Sequence, residues 1–305
     1  GINPVTGTTY DGIAKNANII SLRVLNSRGT GSTASVLRAL NWILTPVDPN
    51  RPVGLLNPLN KDKYNIRVVN ISAGGDFEKS YLDSSLCQTV ERAVSKGLVV
   101  VCAVGNAGMA PGHPVLPPAS SPSSIAVGGL DDQNSLDRAK RGMYRSSYGP
   151  TVDGLQKPEI IAPGIWVAGP ILPSTPTADQ AELVSKLEMA ADDELRTIIE
   201  ANEGVDKDFD QSLDLPVPLL RQLITIKLRE GNVINEHYKY IDGTSFAAPI
   251  VASIVACMLE ANPALTPQLV KRILIDTAER VDGVEVERQG WGVVAPRRAV
   301  EVARS

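Results

Sequence analysis

The segment DGTSFAAPIVAS, Asp242 to Ser253, places Ser245 among small residues directly ahead of an apolar run with helical character. Small neighbours let a substrate backbone come close. A serine at a helix N-terminus sits among unpaired N–H groups at the positive end of the helix dipole. That setting suits both an attacking oxygen and the oxyanion such an attack creates. The same pattern makes an ordinary N-cap, so on the residues alone Ser245 is either a nucleophile or a cap. Asn106, in the Asn-Ala-Gly loop of VVVCAVGNAG (Val99 to Gly108), reads on the same terms as a turn residue. A serine nucleophile needs a base. The sequence contains two histidines, His113 in APGHPVLPP and His237 in NEHYKYIDG, the second eight residues before Ser245, and both read as surface-loop residues. No G-x-S-x-G, G-x-G-x-x-G or P-loop pattern occurs, which leaves an α/β-hydrolase or a nucleotide site without motif support.

The elements that must position these groups alternate. ANIISLRVL, TASVLRALNWIL, IRVVNIS, LDSSLCQTVERAVSKG and LVVVCAVGN read as strand, helix, strand, helix and strand. Leu86, Val90, Ala93 and Val94 fall at helical spacing, and Gly97 follows as a C-terminal stop. Val99 to Ala103 is apolar on both faces, as a parallel strand covered by helices on both sides must be. The fold expected is α/β, a doubly wound, mostly parallel sheet with helices on both faces. Residues 174–236 depart from it, with fourteen acidic and six basic side chains. Two stretches there have helical apolar spacing: AELVSKLEMAADDELRTIIEAN, with Leu183, Leu187, Leu195 and Ile198, and VPLLRQLITIKLREG, with Leu219, Leu220, Leu223 and Leu228. We read 174–236 as an acidic helical insertion within one partial domain spanning 1–305. DKDFDQSLDLP lacks the Gly and terminal Glu of an EF-hand loop and reads as a solvated acidic linker. Two helices close the chain, the second with Thr266 as N-cap and Pro267 at its first position.

Composition sets limits. The 305 residues are 43% apolar and 21% charged with a net charge of -4, which fits a globular chain and offers no basic footprint for nucleic acid or an anionic membrane. No run approaches the ~18 uninterrupted apolar residues of a membrane span. Cys87, Cys102 and Cys257 sit beside apolar neighbours without metal-clip spacing and read as reduced core thiols. Cysteine usage does not separate a cytoplasmic from a secreted protein. The opening GINPVTGTTYDG is a Gly/Thr/Pro loop rather than a leader.

GTSFAAP resembles the nucleophile motif of the subtilisin-like serine proteases, and three further segments agree with that family in order. VVNISAGG (Val68 to Gly75) resembles the strand and turn along which its substrates lie. VVVCAVGNAG resembles the segment bearing its oxyanion-hole Asn, and KPEIIAPG (Lys157 to Gly164) the strand leading toward its nucleophile. The likeness runs from about residue 12 to 172 and again from 238 to the end. It implies Ser245 as nucleophile, and Asn106 with the Ser245 N–H as donors to the oxyanion. It also implies Ser72, Ala73 and Gly74 as an edge for an extended peptide, and Ala103, Val104, Gly105 and Thr244 as further substrate-binding positions. These roles need no cofactor or metal; calcium is a family habit that would fall on the loop Asn3 to Thr9. Sedolisins share a GTS motif but carry Asp where Asn106 stands.

Two departures stand out. Phe246 occupies the place where the family most often has Met. The family's triad-aspartate motif and its His-Gly-Thr-His motif are both absent. Residue 1 falls just after the place where the histidine motif would end, so truncation accounts for both losses. The resemblance thus implies a serine endopeptidase acting through an acyl-enzyme on a peptide or protein substrate. It would require the missing N-terminal part of its own domain as a partner, and these residues alone would be inactive. The alternative is a noncatalytic peptide-binding or interaction module.

Overall fold

The computed structural model describes residues 7, 11–48, 50 and 57–305. The loop Asn3 to Thr9 therefore lies, Gly7 apart, outside the described residues. The helices of seven residues or more are α1 (Thr33–Leu44), α2 (Ser85–Ser95), α3 (Pro176–Met189), α4 (Leu195–Ala201), α5 (Val217–Glu230), α6 (Thr244–Ala261), α7 (Pro267–Thr277) and α8 (Pro296–Arg304). The strands discussed are β1 (Val68–Ile71), β2 (Val99–Ala103), β3 (Ile125–Asp131), β4 (Gly142–Met143), β5 (Ile160–Pro163), β6 (Val167–Pro170), β7 (Val233–Asn235) and β8 (Tyr238–Ile241). The chain divides into two compact units, a sheet unit of Gly12–Ile165 with Asp242–Ser305, and a helical unit, Trp166–Ile241.

In the sheet unit β1, β2, β3 and β5 run parallel in that order, with Val68 opposite Val99, Val101 opposite Ile125 and Val127 opposite Ile160. The short β4 pairs antiparallel with the end of β3. The strand pleat sends Val99, Val101, Ile125, Val127, Ile160 and Ala162 to one face, where they pack with α6, α7 and α8. Val100, Cys102 and Ala126 go to the other, under Leu40 and Ile43 of α1 and Val90, Ala93 and Val94 of α2. Both faces are covered, which is why these strands are apolar throughout. The sequence signals for α2 and α7 hold in detail: Gly97 follows α2 at φ +86°, and the Thr266 side chain accepts from Leu269 N with Pro267 in the first turn. Among the described residues α6 is the helix long and apolar enough to cross a membrane, yet it is a core helix, with Ala247, Val251, Val255 and Met258 at 0% exposure against the sheet.

One expected strand is absent. Ala17 to Leu25 runs without a ladder; its one bridge joins Leu25 to Gly31. Ile19 is 89% exposed, and Leu22 packs against the core face of α1 and α2. Strand propensity forms a strand only where a neighbour takes the backbone hydrogen bonds, and no described strand lies in register with this segment. β1 correspondingly pairs on one side alone among the described residues.

Charge is buried beneath the sheet. Lys157, 1% exposed, donates through Nζ to Ser121 O at 2.8 Å and to Glu159 Oε1 at 2.6 Å. Lys271 Nζ donates to the same Oε1 at 2.7 Å, while Glu159 Oε2 accepts from the Ala126 N–H at 2.7 Å. Burial lowers the Lys157 pKa, with Glu159 opposing it, and pushes the neighbouring Cys102 thiol from 9.0 up to about 12. The three cysteines are free thiols, Cys257 half-buried and the other two buried.

The helical unit has its own core of Leu183 and Leu187 from α3, Leu195 and Ile199 from α4, Phe209, and Leu220 and Ile224 from α5. It is wider than residues 174–236 because β6 and β8 pair antiparallel, Val167 opposite Ile241. The stretch 181–202 breaks into α3 and α4: Ala190 turns extended, and Arg221 of α5 reaches back to Leu187 O at 3.0 Å and Ala190 O at 2.7 Å. The acidic linker is not free in solvent. Phe209 within it is fully buried, and Asp206 pairs with Lys227 at 3.0 Å.

Candidate active site

The first turn of α6 is built on Gly243. Its φ of 137° lies in the region open to glycine, and its N–H donates to Gly164 O at 2.7 Å, just past the end of β5. Thr244 is fully buried. Its N–H and its hydroxyl both donate to Asn106 Oδ1, at 2.9 and 3.0 Å, while its Oγ1 accepts from Gly105 N–H at 3.2 Å. The resemblance implied a substrate-binding position for Thr244, but its side chain reaches no open surface; its N–H and hydroxyl hydrogen hold Asn106 and its Oγ1 the Gly105 N–H. With Oδ1 occupied by two donors, Nδ2 is the end of the carboxamide that remains to donate elsewhere.

Nδ2 lies 3.6 Å from the point where a Cβ would sit on Gly243, and the Ser245 N–H nitrogen lies 3.7 Å from the same point. Two donor nitrogens thus lie close to one point beside Gly243, which Phe246 Cδ2 borders at 3.6 Å as well. Ser245 is half-buried and Asn106 exposed, so both are within reach of solvent. Ser245 Oγ donates to Ser72 O over a long 3.5 Å, and Ser72 Oγ donates to Ser245 O at 2.9 Å. Among the described residues no imidazole or carboxylate bonds the Ser245 hydroxyl. His113 Nδ1 is engaged with Gly108 O at 2.8 Å and its ring stacks on Tyr148 at 4.1 Å. His237 belongs to the helical unit, where it is largely exposed beside Glu236.

Beyond β1 the backbone of Ser72, Ala73 and Gly74 joins no ladder among the described residues; Gly75 N–H donates to Pro117 O at 2.7 Å. Such an edge can pair with a peptide main chain. A cleft of about 230 Å³ adjoins it, lined on one side by Gly29, Gly31 and Val36 and on the other by Ala73, Gly74 and Asp76. Ala103 and Gly105 are half-buried, but Val104 is 1% exposed in the core under α1 and α2, so its side chain lines no open pocket. Pleat alternation explains this: Val104 follows Cys102 on the inward face.

Several supporting residues carried no sequence signal. Ser147 donates its N–H to Gly105 O at 2.9 Å and accepts at Oγ from Ala107 N–H at 3.2 Å, bracketing Asn106. A Cβ on Gly105, at φ +109°, would come within 2.8 Å of that Oγ. Tyr144 OH donates to Asp242 Oδ2 at 2.9 Å and Arg145 stands 3.5 Å from the same oxygen, fixing the residue ahead of Gly243. Burial, with the Asp242 carboxylate, holds the Tyr144 pKa above the usual phenol value. These partners lie about a hundred or more positions from the helix start, or belong to a Ser-Ser pair like any other, so local pattern cannot single them out.

The sequence profile of the subtilase family, peptidase S8, matches residues 2–292. The chain belongs to the subtilase family. The serine protease AprX of Bacillus subtilis (strain 168) is 28% identical over 296 residues, covering 95% of this chain and 53% of AprX. The cuticle-degrading serine protease of Arthrobotrys oligospora is 29% identical over 187 residues, covering 61% of this chain and 36% of that protein. The chain thus spans about half the length, or less, of these subtilase relatives. Among solved structures, proteases from Pseudoalteromonas arctica match with a TM-score of 0.57 at 22% identity, over 96% of this chain and 65% of theirs, a likeness of fold. The parallel sheet covered by helices is accordingly the subtilase architecture.

Proposed function

We propose that this subtilase hydrolyses peptide bonds through an acyl-enzyme formed on Ser245. The observation that carries the reading is the proximity of Asn106 Nδ2 and the Ser245 nitrogen, 3.6 and 3.7 Å from one point beside Gly243. In the reaction Ser245 Oγ attacks the scissile carbonyl carbon, and the carbonyl oxygen moves toward these donors as it gains charge. Donors held in place before the reaction then cost no reorganisation. The Ser245 proton passes to a base and on to the leaving amine; water then repeats the attack on the ester and frees Ser245. The base is a histidine oriented by an aspartate, both supplied by chain outside these residues. Residues 1–305 by themselves accordingly turn over no peptide. Substrate lies extended along Ser72 to Gly74.

A second reading, a noncatalytic peptide-binding module, draws on the absence of any described imidazole at the Ser245 hydroxyl together with the same unpaired edge. One experiment separates the two. The chain is expressed with its native upstream coding region and treated with a serine-directed phosphonate. Labelling that disappears in Ser245→Ala is the expected result; a folded, soluble product that takes no label supports the module instead.

A further inference from the structure

Pro249 stands inside α6, four residues after Ser245, where a regular helix would use its N–H to close on the Ser245 carbonyl. Proline has no N–H, so the carbonyl of the proposed nucleophile loses its helical donor. The Ser72 hydroxyl takes that place: Oγ donates to Ser245 O at 2.9 Å, joining residues 173 positions apart. Ser72 Oγ is itself seated by Asn70 Nδ2 of β1, which donates to it at 3.1 Å. A relay of two hydrogen bonds therefore runs from the sheet to the backbone of Ser245.

We infer that Ser72 is a positioning residue for Ser245, its side chain replacing the N–H that Pro249 lacks. This rests on the reading of Ser245 as nucleophile. A carbonyl bonded within its own helix would fix Ser245 relative to α6. Bonded to Ser72, it fixes Ser245 relative to β1, and with it the direction in which Cβ and Oγ leave the helix. The same residue offers its main chain to the peptide edge and its hydroxyl to the nucleophile. The separation between bound peptide and attacking oxygen is thus set within one residue, which is the kind of geometry on which near-attack placement depends.

The test uses the full chain with its upstream region. Ser72→Ala keeps the edge backbone and removes the donor; kcat and the rate of phosphonate labelling should each fall about tenfold, with KM within about twofold of wild type. Pro249→Ala restores a backbone N–H opposite the Ser245 carbonyl and should rescue Ser72→Ala to within about threefold of wild type, an outcome that loss of packing around Ser72 would not give. An unchanged kcat in Ser72→Ala, a rise in KM alone, or a double variant as slow as Ser72→Ala overturns the positioning role. A folded wild-type chain that takes no label overturns the nucleophile reading and this inference with it, whereas a wild type and a Ser72→Ala variant that label equally fast overturn the positioning role alone.

Discussion

In the sheet unit the decisive polar contacts join distant parts of the chain, each anchored on one buried residue: Lys271 to Glu159 across 112 positions, Thr244 to Asn106 across 138. In the helical unit they are more local and, the Asp206–Lys227 pair apart, nearer the surface. Arg221 meets Asp192 across 29 positions, Arg196 reaches Leu213 O across 17, and Lys186 pairs with Glu182 one helical turn away. The helical unit uses Arg221 to close the end of α3 and other charged side chains in pairs between or within neighbouring helices. The sheet unit spends its polar atoms on holding strands, loops and one helix start in mutual register. Only the second use holds donor groups from distant segments close to Gly243, which is the physical reason the candidate chemistry sits in the sheet unit.

Three measurements sharpen or break this contrast. The largest effect is expected from Glu159→Gln, which leaves the Lys157 and Lys271 ammonium groups without their shared carboxylate. Breaking a buried pair in this way costs about 3–5 kcal/mol, read as a drop in the urea midpoint of the sheet unit. A loss below about 1 kcal/mol would place this cluster with surface pairs. An intermediate effect concerns Cys102. The unfolded thiol ionises above its ordinary value of 9.0, while the folded one keeps its proton to about 12. Stability should therefore fall as pH rises through that window, by at most ~1.4 kcal/mol per pH unit. Cys102→Val should flatten the slope in denaturation curves recorded either side of the lower limit. The smallest effect is expected from Asp192→Asn. Its carboxylate pairs with Arg221 at 2.7 Å but is 65% exposed, so the change should cost about 0.2–1 kcal/mol and diminish in high salt. A larger loss would mean that Arg221 depends on this carboxylate to cap the end of α3.

The helical elements were legible because their signals are local. Thr266 and Pro267 announce α7, Gly97 ends α2, and Leu183, Leu187 and Leu195 mark the face that packs in the helical unit. Ala17 to Leu25 misled because β-branched content was read without its ladder partner. Thr244 and Val104 misled in a related way: a motif places a residue in the neighbourhood of a site, but which way its side chain points depends on the pleat and on what competes for its hydrogen bonds. Ser147, Tyr144 and Pro249 were invisible as participants, since each matters through a partner that the fold brings in from elsewhere.

Sequence alone determined the α/β class, the boundaries of most helices, the family likeness and the residue types at the core of the site, because periodicity, caps and short motifs are properties of neighbouring residues. Tertiary structure decided that Thr244 turns the Asn106 carboxamide, that its Nδ2 and the Ser245 nitrogen lie close to one point, and that Ser72 supplies the donor Pro249 cannot. Those outcomes depend on hydrogen bonds between groups more than a hundred positions apart, whose distances are set only once the parallel strands and α6 have packed together.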